Sequence, residues 1–137
     1  MSKERLKKLE QEIDYIYVIQ APLGAKPKVD ELRRALIQAR ESSKDYAKVN
    51  EEHPDTLTIY VRRSKAIRDR LRQHFNNAGP GTTYALHMGR WGTHVNVELT
   101  ISIMEFRNLP NQDLLVQSLE DGVWDYLKPA FGRRGAK

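Results

Sequence analysis

Polar and apolar residues alternate between residues 94 and 103, and this alternation is the clearest structural pattern in the chain. The apolar positions are Val95, Val97, Leu99, Ile101 and Ile103. The polar positions are His94, Asn96, Glu98, Thr100 and Ser102. A period of two is typical of a strand with one buried face. Because Gly89 and Gly92 supply a short turn just before this stretch, we predict a β-hairpin over residues 82–106.

The predicted hairpin has two chemically different faces. A symmetric turn places His87 opposite His94, and Asn96 and Glu98 share the face on which these histidines lie. We expect helices to cover the opposite, apolar face. The polar face, to which Tyr60 of a neighbouring strand adds its ring, is then expected to serve as an interface.

Residues 1–50 predict two helices that form a hairpin. Apolar residues recur at spacings of three and four through residues 2–20, at Leu6, Leu9, Ile13 and Ile16. The run from Tyr15 to Ile19 is also good strand material, but the unbroken helical spacing favours a helix. Pro22 ends it, and a second helix follows with Pro27 in its first turn. This helical hairpin either packs on the sheet or forms a seam between subunits.

A strand and a third helix are predicted between the helical hairpin and the β-hairpin. Residues 56–62 alternate as a strand, with Ile59 and Val61 facing inward and Tyr60 facing outward. Ser64 suits the N-terminus of the helix that follows. The apolar stripe of this helix consists of Ile67, Leu71 and Phe75.

A last helix and a basic tail complete the expected α+β fold. Asn111 suits the start of this helix, and Pro129 ends it. Its expected inward residues are Leu115, Leu119, Val123 and Tyr126. The predicted organisation is one domain of three parts: the helical hairpin (1–50), a βαββα unit (56–128) and the tail (129–137). The unit has at least three strands, with helices on one face.

Composition limits the classes of protein to consider. The chain has 137 residues, 39% hydrophobic and 30% charged, which is typical of a globular protein, and no segment is apolar enough to span a membrane. The absence of cysteine excludes disulfides, thiolate zinc sites and cysteine nucleophiles. No apolar signal sequence is apparent near the N-terminus. We therefore expect the protein in the cytoplasm, or in a virion assembled in a host cytoplasm.

Basic residues are concentrated between Arg62 and Arg72, where six of them accompany only one acidic residue, Asp69. Such a row suits phosphate oxygens of a nucleic acid or an acidic partner, although it is also typical of a solvated helix surface. Trp91, at the expected hairpin tip, could stack on a base. The full candidate set is Arg62, Arg63, Lys65, Arg68, Arg72, Arg90, Trp91, Arg133 and Arg134.

The pair of His87 and His94 suggests metal or acid–base chemistry as an alternative. A zinc site needs at least one further ligand, and Glu98 lies about 13 Å from His94 along a strand that rises ~3.3 Å per residue. The pair therefore fits an exposed sheet face or a subunit interface better. We expect His53 and His74 on the surface, and no metal site, cofactor or catalytic residue.

The segment from Val95 to Lys128, a long strand followed by a helix that begins after Asn111, resembles ring-forming phage tail-terminator subunits. The resemblance implies a subunit of a viral assembly, of the tail-terminator or connector kind. The sequence thus predicts a non-enzymatic structural subunit of a homo-oligomer, with a basic surface for a partner or nucleic acid. A nucleic-acid-binding module and a small metal-dependent or acid–base enzyme remain the alternatives. No small-molecule substrate is indicated.

Overall fold

A computed structural model describes residues 13–43, 46–75, 86, 88–92 and 95–135. In chain order, its elements are strand β1 (Asp14–Gln20), helix α1 (Lys26–Ser42), strand β2 (Thr58–Ser64), helix α2 (Ile67–Phe75), short helix α3 (Met88–Trp91), strand β3 (Thr100–Phe106) and helix α4 (Gln112–Leu127). The predicted α+β class is confirmed. None of the helices in these ranges combines the length and apolarity that a bilayer crossing requires.

The described strands form one antiparallel sheet of three, in the order β2-β1-β3. Strand β1 is central, and its Val18 aligns with Val61 on one side and with Ser102 on the other. A β-bulge interrupts the pairing with β2 between Ile19 and Gln20. The two outer strands are therefore β2 and β3.

The predicted N-terminal helix is wrong over Asp14–Gln20, because these residues form the central strand. Ile16, Tyr17, Val18 and Ile19 are all buried. A run that is buried on every side suits a central strand, whereas an amphipathic helix leaves one face in water. Residues 2–12 of that predicted helix lie outside the described residues. The second predicted helix is confirmed as α1, but the helical hairpin is not.

The predicted β-hairpin over residues 82–106 is also wrong. Its expected turn is the helical turn α3, and its second strand is confirmed only as β3, which pairs with β1. Burial still alternates over residues 95–99, where Val95 is buried and Asn96 exposed, although no strand forms there. Residues 82–85, 87, 93 and 94 lie outside the described part of the chain.

The burial of Trp91 explains why the expected turn is helical. Trp91 packs edge-to-face on Phe131, with ring centroids 5.9 Å apart, and its Nε1 donates a hydrogen bond of 2.6 Å to the carbonyl of Leu86. The N–H of Gly92 closes the turn on the Met88 carbonyl at 2.8 Å. The indole therefore belongs to the core and not to an exposed tip.

Helices cover both faces of the sheet, whereas the sequence predicted helices on one face. Tyr17 points to one side, where it joins a core with Leu32 and Leu36 of α1. Asp14, three residues away on the same strand, points to the other side and accepts a hydrogen bond of 2.8 Å from Gln112 of α4. Further residues buried on the α4 side are Ile16, Val18, Val61 and Val116.

The beginning of the predicted basic tail is a buried segment. The backbone N–H groups of Ala130 and Phe131 donate to carbonyls of Thr58 and Ile59 in the first half of β2, and Phe131 is fully buried. The side-chain amide of Asn50 holds the segment by donating to the carbonyls of residues 129 and 132 at 3.0 and 2.8 Å. Backbone hydrogen bonds and an aromatic anchor therefore fix this segment against β2.

Candidate interaction surfaces

Strand β3 is exposed along its length, which sets it apart from the other two strands. Ile101, Ile103 and Met104 are 37%, 49% and 40% exposed, whereas Ile16 and Ile19 of the neighbouring β1 are fully buried. Side chains alternate between the faces of a strand, so the two isoleucines lie on one face and Met104 on the other. Both faces of β3 therefore present apolar surface to solvent.

Helix α4 extends the apolar surface on the Met104 side of the sheet. The helix packs on β2 and β1, and its buried residues are Val116 and Glu120. Leu115 and Leu119 are 43% and 39% exposed, which contradicts their predicted inward position, and Tyr126 is more exposed still. The buried residues of α4 therefore each follow a predicted inward residue, Leu115 or Leu119, by one position in the sequence.

The orientation of α4 places these leucines towards β3. Asp113 of α4 contacts Arg63 of β2, and so does Gln117, so one flank of the helix faces β2. Leu115 and Leu119 lie on the opposite flank, because each residue advances about 100° around an α-helix. Since β3 lies on the other side of β1 from β2, that flank is on the β3 side.

The predicted polar interface is only partly on the surface. Asn96 and Glu98 are exposed, as expected, but they lie in an irregular segment. Tyr60 was expected to face outward and is instead buried, with its ring centroid 4.5 Å from that of His74. The reason is that helices cover both faces of the sheet. His87 and His94 lie outside the described residues, so the cross-strand histidine pair stays a prediction.

His74 is an unpredicted structural centre. It is fully buried and not on the surface, and its Nδ1 accepts the N–H of Leu86 at 2.9 Å while its Nε2 lies 2.6 Å from the Tyr17 hydroxyl. Burial raises the pKa of the Tyr17 hydroxyl far above its ordinary value. The only sequence signal for the burial of His74 is its position three residues after Leu71, which places it near the apolar side of the helix.

Arg63, a candidate for nucleic-acid binding, is used inside the molecule. Its Nε donates to Asp14 at 2.9 Å, and its other nitrogens contact Asp113 at 2.5 Å and Gln117 at 3.4 Å. Burial lowers the pKa of Arg63, but the hydrogen bonds and charges of Asp14 and Asp113 outweigh it and raise that pKa above its usual value. The guanidinium therefore ties α4 to the sheet.

Arg62 and Arg134 are likewise engaged within the chain. Arg62 donates to the backbone carbonyls of Arg133 and Gly135, which brings the C-terminal segment to β2. Arg134 forms a bidentate pair with Asp125 of α4 at 2.7 and 2.8 Å. These contacts organise the end of the chain and leave fewer cations for an external partner.

The remaining basic candidates lie on the surface. Lys65, two residues before α2, is exposed, and so are Arg68 and Arg72 on α2. In the described part of the chain none of them makes a hydrogen bond or ion pair. Arg90 and Arg133 are also exposed. Helical spacing places Arg68 and Arg72 one turn apart on the same side of α2, as predicted.

Within the described ranges, no group of three or more histidine, cysteine, aspartate or glutamate side chains is arranged to hold a metal ion. Comparisons with protein-family models, with curated proteins and with solved structures found no match to this chain. The likeness to phage tail-terminator subunits therefore stays a prediction. The exposed β3 edge and the cations of α2 are the two surfaces from which a function can be argued.

Proposed function

We propose that this protein is a non-enzymatic structural subunit of a homo-oligomer, and that it assembles through β3. The observation that carries the proposal is an outer strand with apolar side chains exposed on both faces, of which Ile103 is the most exposed at 49%. An outer strand presents unpaired backbone N–H and C=O groups to any strand that approaches it. Apolar surface next to such groups favours association further.

Soluble proteins usually protect an outer strand, and β3 has little of that protection. The common devices are lysine, proline, a β-bulge, or a covering loop. The sequence of β3, TISIMEF, contains no lysine and no proline, and its pairing with β1 is regular over seven residues. Its only charged residue is Glu105. An unpaired β3 would therefore promote non-specific association, whereas a specific partner strand would pair with its edge and prevent this.

The opposite edge of the sheet supports this interpretation by contrast. Ala130 and Phe131 of the C-terminal segment bond to β2, and the carboxylate of Glu120 accepts the backbone N–H of Arg63. The chain thus covers part of β2 with its own residues. In the described part of the chain, β3 has no strand partner other than β1.

The setting that we propose is a phage or viral particle of the tail-terminator or connector kind, assembled in the host cytoplasm. A strand followed by a helix is the order on which the resemblance rests, and β3 and α4 have this order, although the strand begins at Thr100 and not at Val95. Asn111 does precede α4, although its side chain makes no capping hydrogen bond. Electron micrographs of the purified protein test this setting. Closed particles of uniform size support it, and they require a second contact besides a twofold pairing of β3. A uniform population of monomers or isolated dimers contradicts the particle setting, although dimers leave the homo-oligomer itself intact.

Light scattering coupled to size-exclusion chromatography tests the oligomer itself. We expect a mass above that of the 15.9 kDa chain and a lower mass for Ile103→Glu. Burying the exposed half of Ile103 is worth about 1 kcal/mol per copy. If the contact is twofold, Ile103 of each copy is buried in it, and Ile103→Glu removes both contributions. The dissociation constant of the oligomer should therefore rise at least about tenfold in this variant.

Ile37→Glu is a matched control. Ile37 lies on α1, is 43% exposed, and has no place in the proposed contact. We expect this variant to keep the oligomer. A monomeric wild-type protein at micromolar concentration would refute the proposal, and so would equal loss of mass in both variants.

Polyanion binding around α2 is the second candidate function. Lys65 just before this helix and Arg68 and Arg72 on it favour this function, because they are exposed and have no ion-pair partner among the described residues. Each cation that contacts a phosphate releases a counterion, so binding should weaken steeply with salt. We expect Arg68→Ala to reduce the salt slope for duplex DNA by about one contact. Arg34→Ala on α1 removes an equally exposed arginine, and an equal effect of both variants would show that only net charge matters.

A further inference from the structure

Among the described strands, β3 is paired on one side of its backbone only. In an antiparallel ladder, alternate residues direct both N–H and C=O to the same neighbouring strand. Half of the β3 residues therefore direct these groups towards β1, and the other half direct them away from the sheet. In the described part of the chain these outward groups meet no further strand. A strand from another molecule would satisfy them and bury the side chains around them.

A second copy of β3 fits this position because its residues complement themselves. Antiparallel partners that face each other share one face of the sheet, and a twofold axis perpendicular to the sheet keeps each face continuous. Two residues that face each other across the seam must then both have even numbers or both have odd numbers, because even-numbered and odd-numbered residues lie on opposite faces of the strand. Glu105, the only charged residue of β3, can therefore face only odd-numbered residues of the partner strand.

The side chains of β3 select one position of the axis. An axis at Ile103 puts Glu105 opposite the partner's Ile101 twice. An axis at Ile101 pairs only Thr100–Ser102 within the two strands, and it leaves Ile103 opposite a residue that lies outside β3. An axis at Ser102 instead puts Ile101 opposite the partner's Ile103 in both directions, and no charge then faces an isoleucine or Met104 across the axis.

We propose that two copies join their β3 strands antiparallel about a twofold axis at Ser102, which unites the three described strands of each copy in one continuous sheet. The proposal rests on the proposed homo-oligomeric function and specifies its contact. On the face that carries Ile101 and Ile103, each isoleucine then packs beside an isoleucine of the partner across the new seam. On the other face, Met104 lies opposite the partner's Thr100.

Single cysteine variants test the axis, because the chain has no cysteine of its own. Residues directly opposite in an antiparallel pair have Cβ atoms about 4.5–5.5 Å apart, whereas diagonal neighbours are about 7–8 Å apart. A disulfide needs a Cβ separation of about 3.5–4.5 Å. Small backbone movements therefore allow the direct pair to be bridged and leave the diagonal pair unbridged.

We expect Ser102→Cys to form a disulfide-linked dimer under mild oxidation, measured on a non-reducing gel at micromolar protein. Ile101→Cys and Ile103→Cys should each cross-link at least about tenfold more slowly by themselves. A mixture of these two variants should form the mixed dimer, because their positions face each other. Leu23→Cys, in a loop and almost fully exposed, gives the rate of random collision.

The possible results separate this proposal from the proposed function. Cross-linking of Ile103→Cys in preference to Ser102→Cys would move the axis and overturn the proposal. Cross-linking of all β3 variants at the Leu23→Cys rate, with an oligomeric wild-type protein, would reject β3 pairing while the assembly function stands. A monomeric wild-type protein would reject both. Ser102 is exposed, so the cysteine is expected to be accommodated, and the circular dichroism of each variant checks its fold.

Discussion

Replacing Asp14 with asparagine tests the charged network that holds α4 against the sheet. Asp14 is almost fully buried and accepts hydrogen bonds from Arg63 at 2.9 Å and from Gln112 at 2.8 Å. Asparagine keeps the size but removes the negative charge, and its amide N–H₂ faces one of the two donors. Gln112 cannot simply turn its amide, because its Oε1 accepts the N–H of Leu109 at 3.1 Å.

The expected loss of stability in Asp14→Asn depends on the ion-pair partner that Arg63 retains. Removing one member of a buried ion pair typically costs about 3–5 kcal/mol. Arg63 retains Asp113 as a second partner, so we expect Asp14→Asn to lower the free energy of unfolding by about 2–3 kcal/mol. That is a large fraction of the stability of about 5–15 kcal/mol that is usual for a domain.

Asp113→Asn is the matched control for this prediction. Asp113 contacts the same guanidinium at 2.5 Å, but its side chain is 91% exposed, against 2% for Asp14. An exposed ion pair is worth less than about 1 kcal/mol. Urea unfolding at pH 7, followed by circular dichroism, measures both variants. The reasoning is refuted if the two substitutions cost the same, because burial would then not decide the strength of the network.

The same carboxyl predicts how stability depends on pH. Burial raises the pKa of Asp14, but hydrogen bonds from Arg63 and Gln112 and the charges of Arg63 and Lys65 outweigh it, so the pKa lies below its ordinary value. Its contribution is present above the unfolded pKa of about 3.9 and is lost as the pH falls through the folded pKa. The difference in stability between wild type and Asp14→Asn should therefore be full at pH 7 and shrink below about pH 4. A difference that grows in acid would contradict this sign.

Three further substitutions test the packing of the C-terminal segment and α3, and thermal unfolding measures each. Gly132→Ala should lower the free energy of unfolding by at least about 2 kcal/mol, because φ is +93° and a Cβ would lie 2.6 Å from Cε2 of Tyr60. Gly24→Ala is the control, with a similar φ but open space around the added Cβ, and should lower it by about 1 kcal/mol. Equal losses would reject the steric argument. Asn50→Ala should cost about 1–3 kcal/mol, since it removes two buried hydrogen bonds, and only the Pro129 carbonyl keeps a second contact, with Nδ1 of His53 at 2.9 Å. A cost under ~1 kcal/mol would show that water replaces the amide. Trp91→Phe should cost about 1–3 kcal/mol through the lost indole hydrogen bond, and an unchanged midpoint would contradict that role.

In the central strand β1, the spacing of apolar residues did not distinguish a helix from a strand. Ile13 and Ile16 continue a helical spacing, yet Tyr15 to Ile19 is rich in β-branched and aromatic residues, and the structure follows that composition. A strand covered on both faces has no polar positions with which to display a period of two. Helix α1 and helix α4 were predictable because each keeps one face in water.

Partners far apart in the sequence explain most of the other errors. Arg63 was expected to face solvent, but its acceptors Asp14 and Asp113 are 49 and 50 positions away. Trp91 was expected at a tip, but Phe131 provides its ring contact. Such pairings depend on how the strands are ordered, which no local pattern contains. Arg68 and Arg72 lie on α2 and are exposed, as expected, because helical spacing alone decides their position, whereas Lys65 was expected on the helix and lies before it.

The apolar surface of β3 differs in kind from the scattered apolar residues that every small protein exposes. Leu23 and Ile37 are exposed singly, on a loop and on α1, and isolated residues of this sort need no explanation. The β3 residues are instead consecutive along one edge, lie beside the exposed flank of α4, and border backbone groups without a further strand partner in the described ranges. Burial of this region by association recovers both hydrophobic free energy and backbone hydrogen bonds, whereas burial of Leu23 recovers only the first. Association is therefore expected to select β3, and cross-linking should discriminate it from other exposed positions.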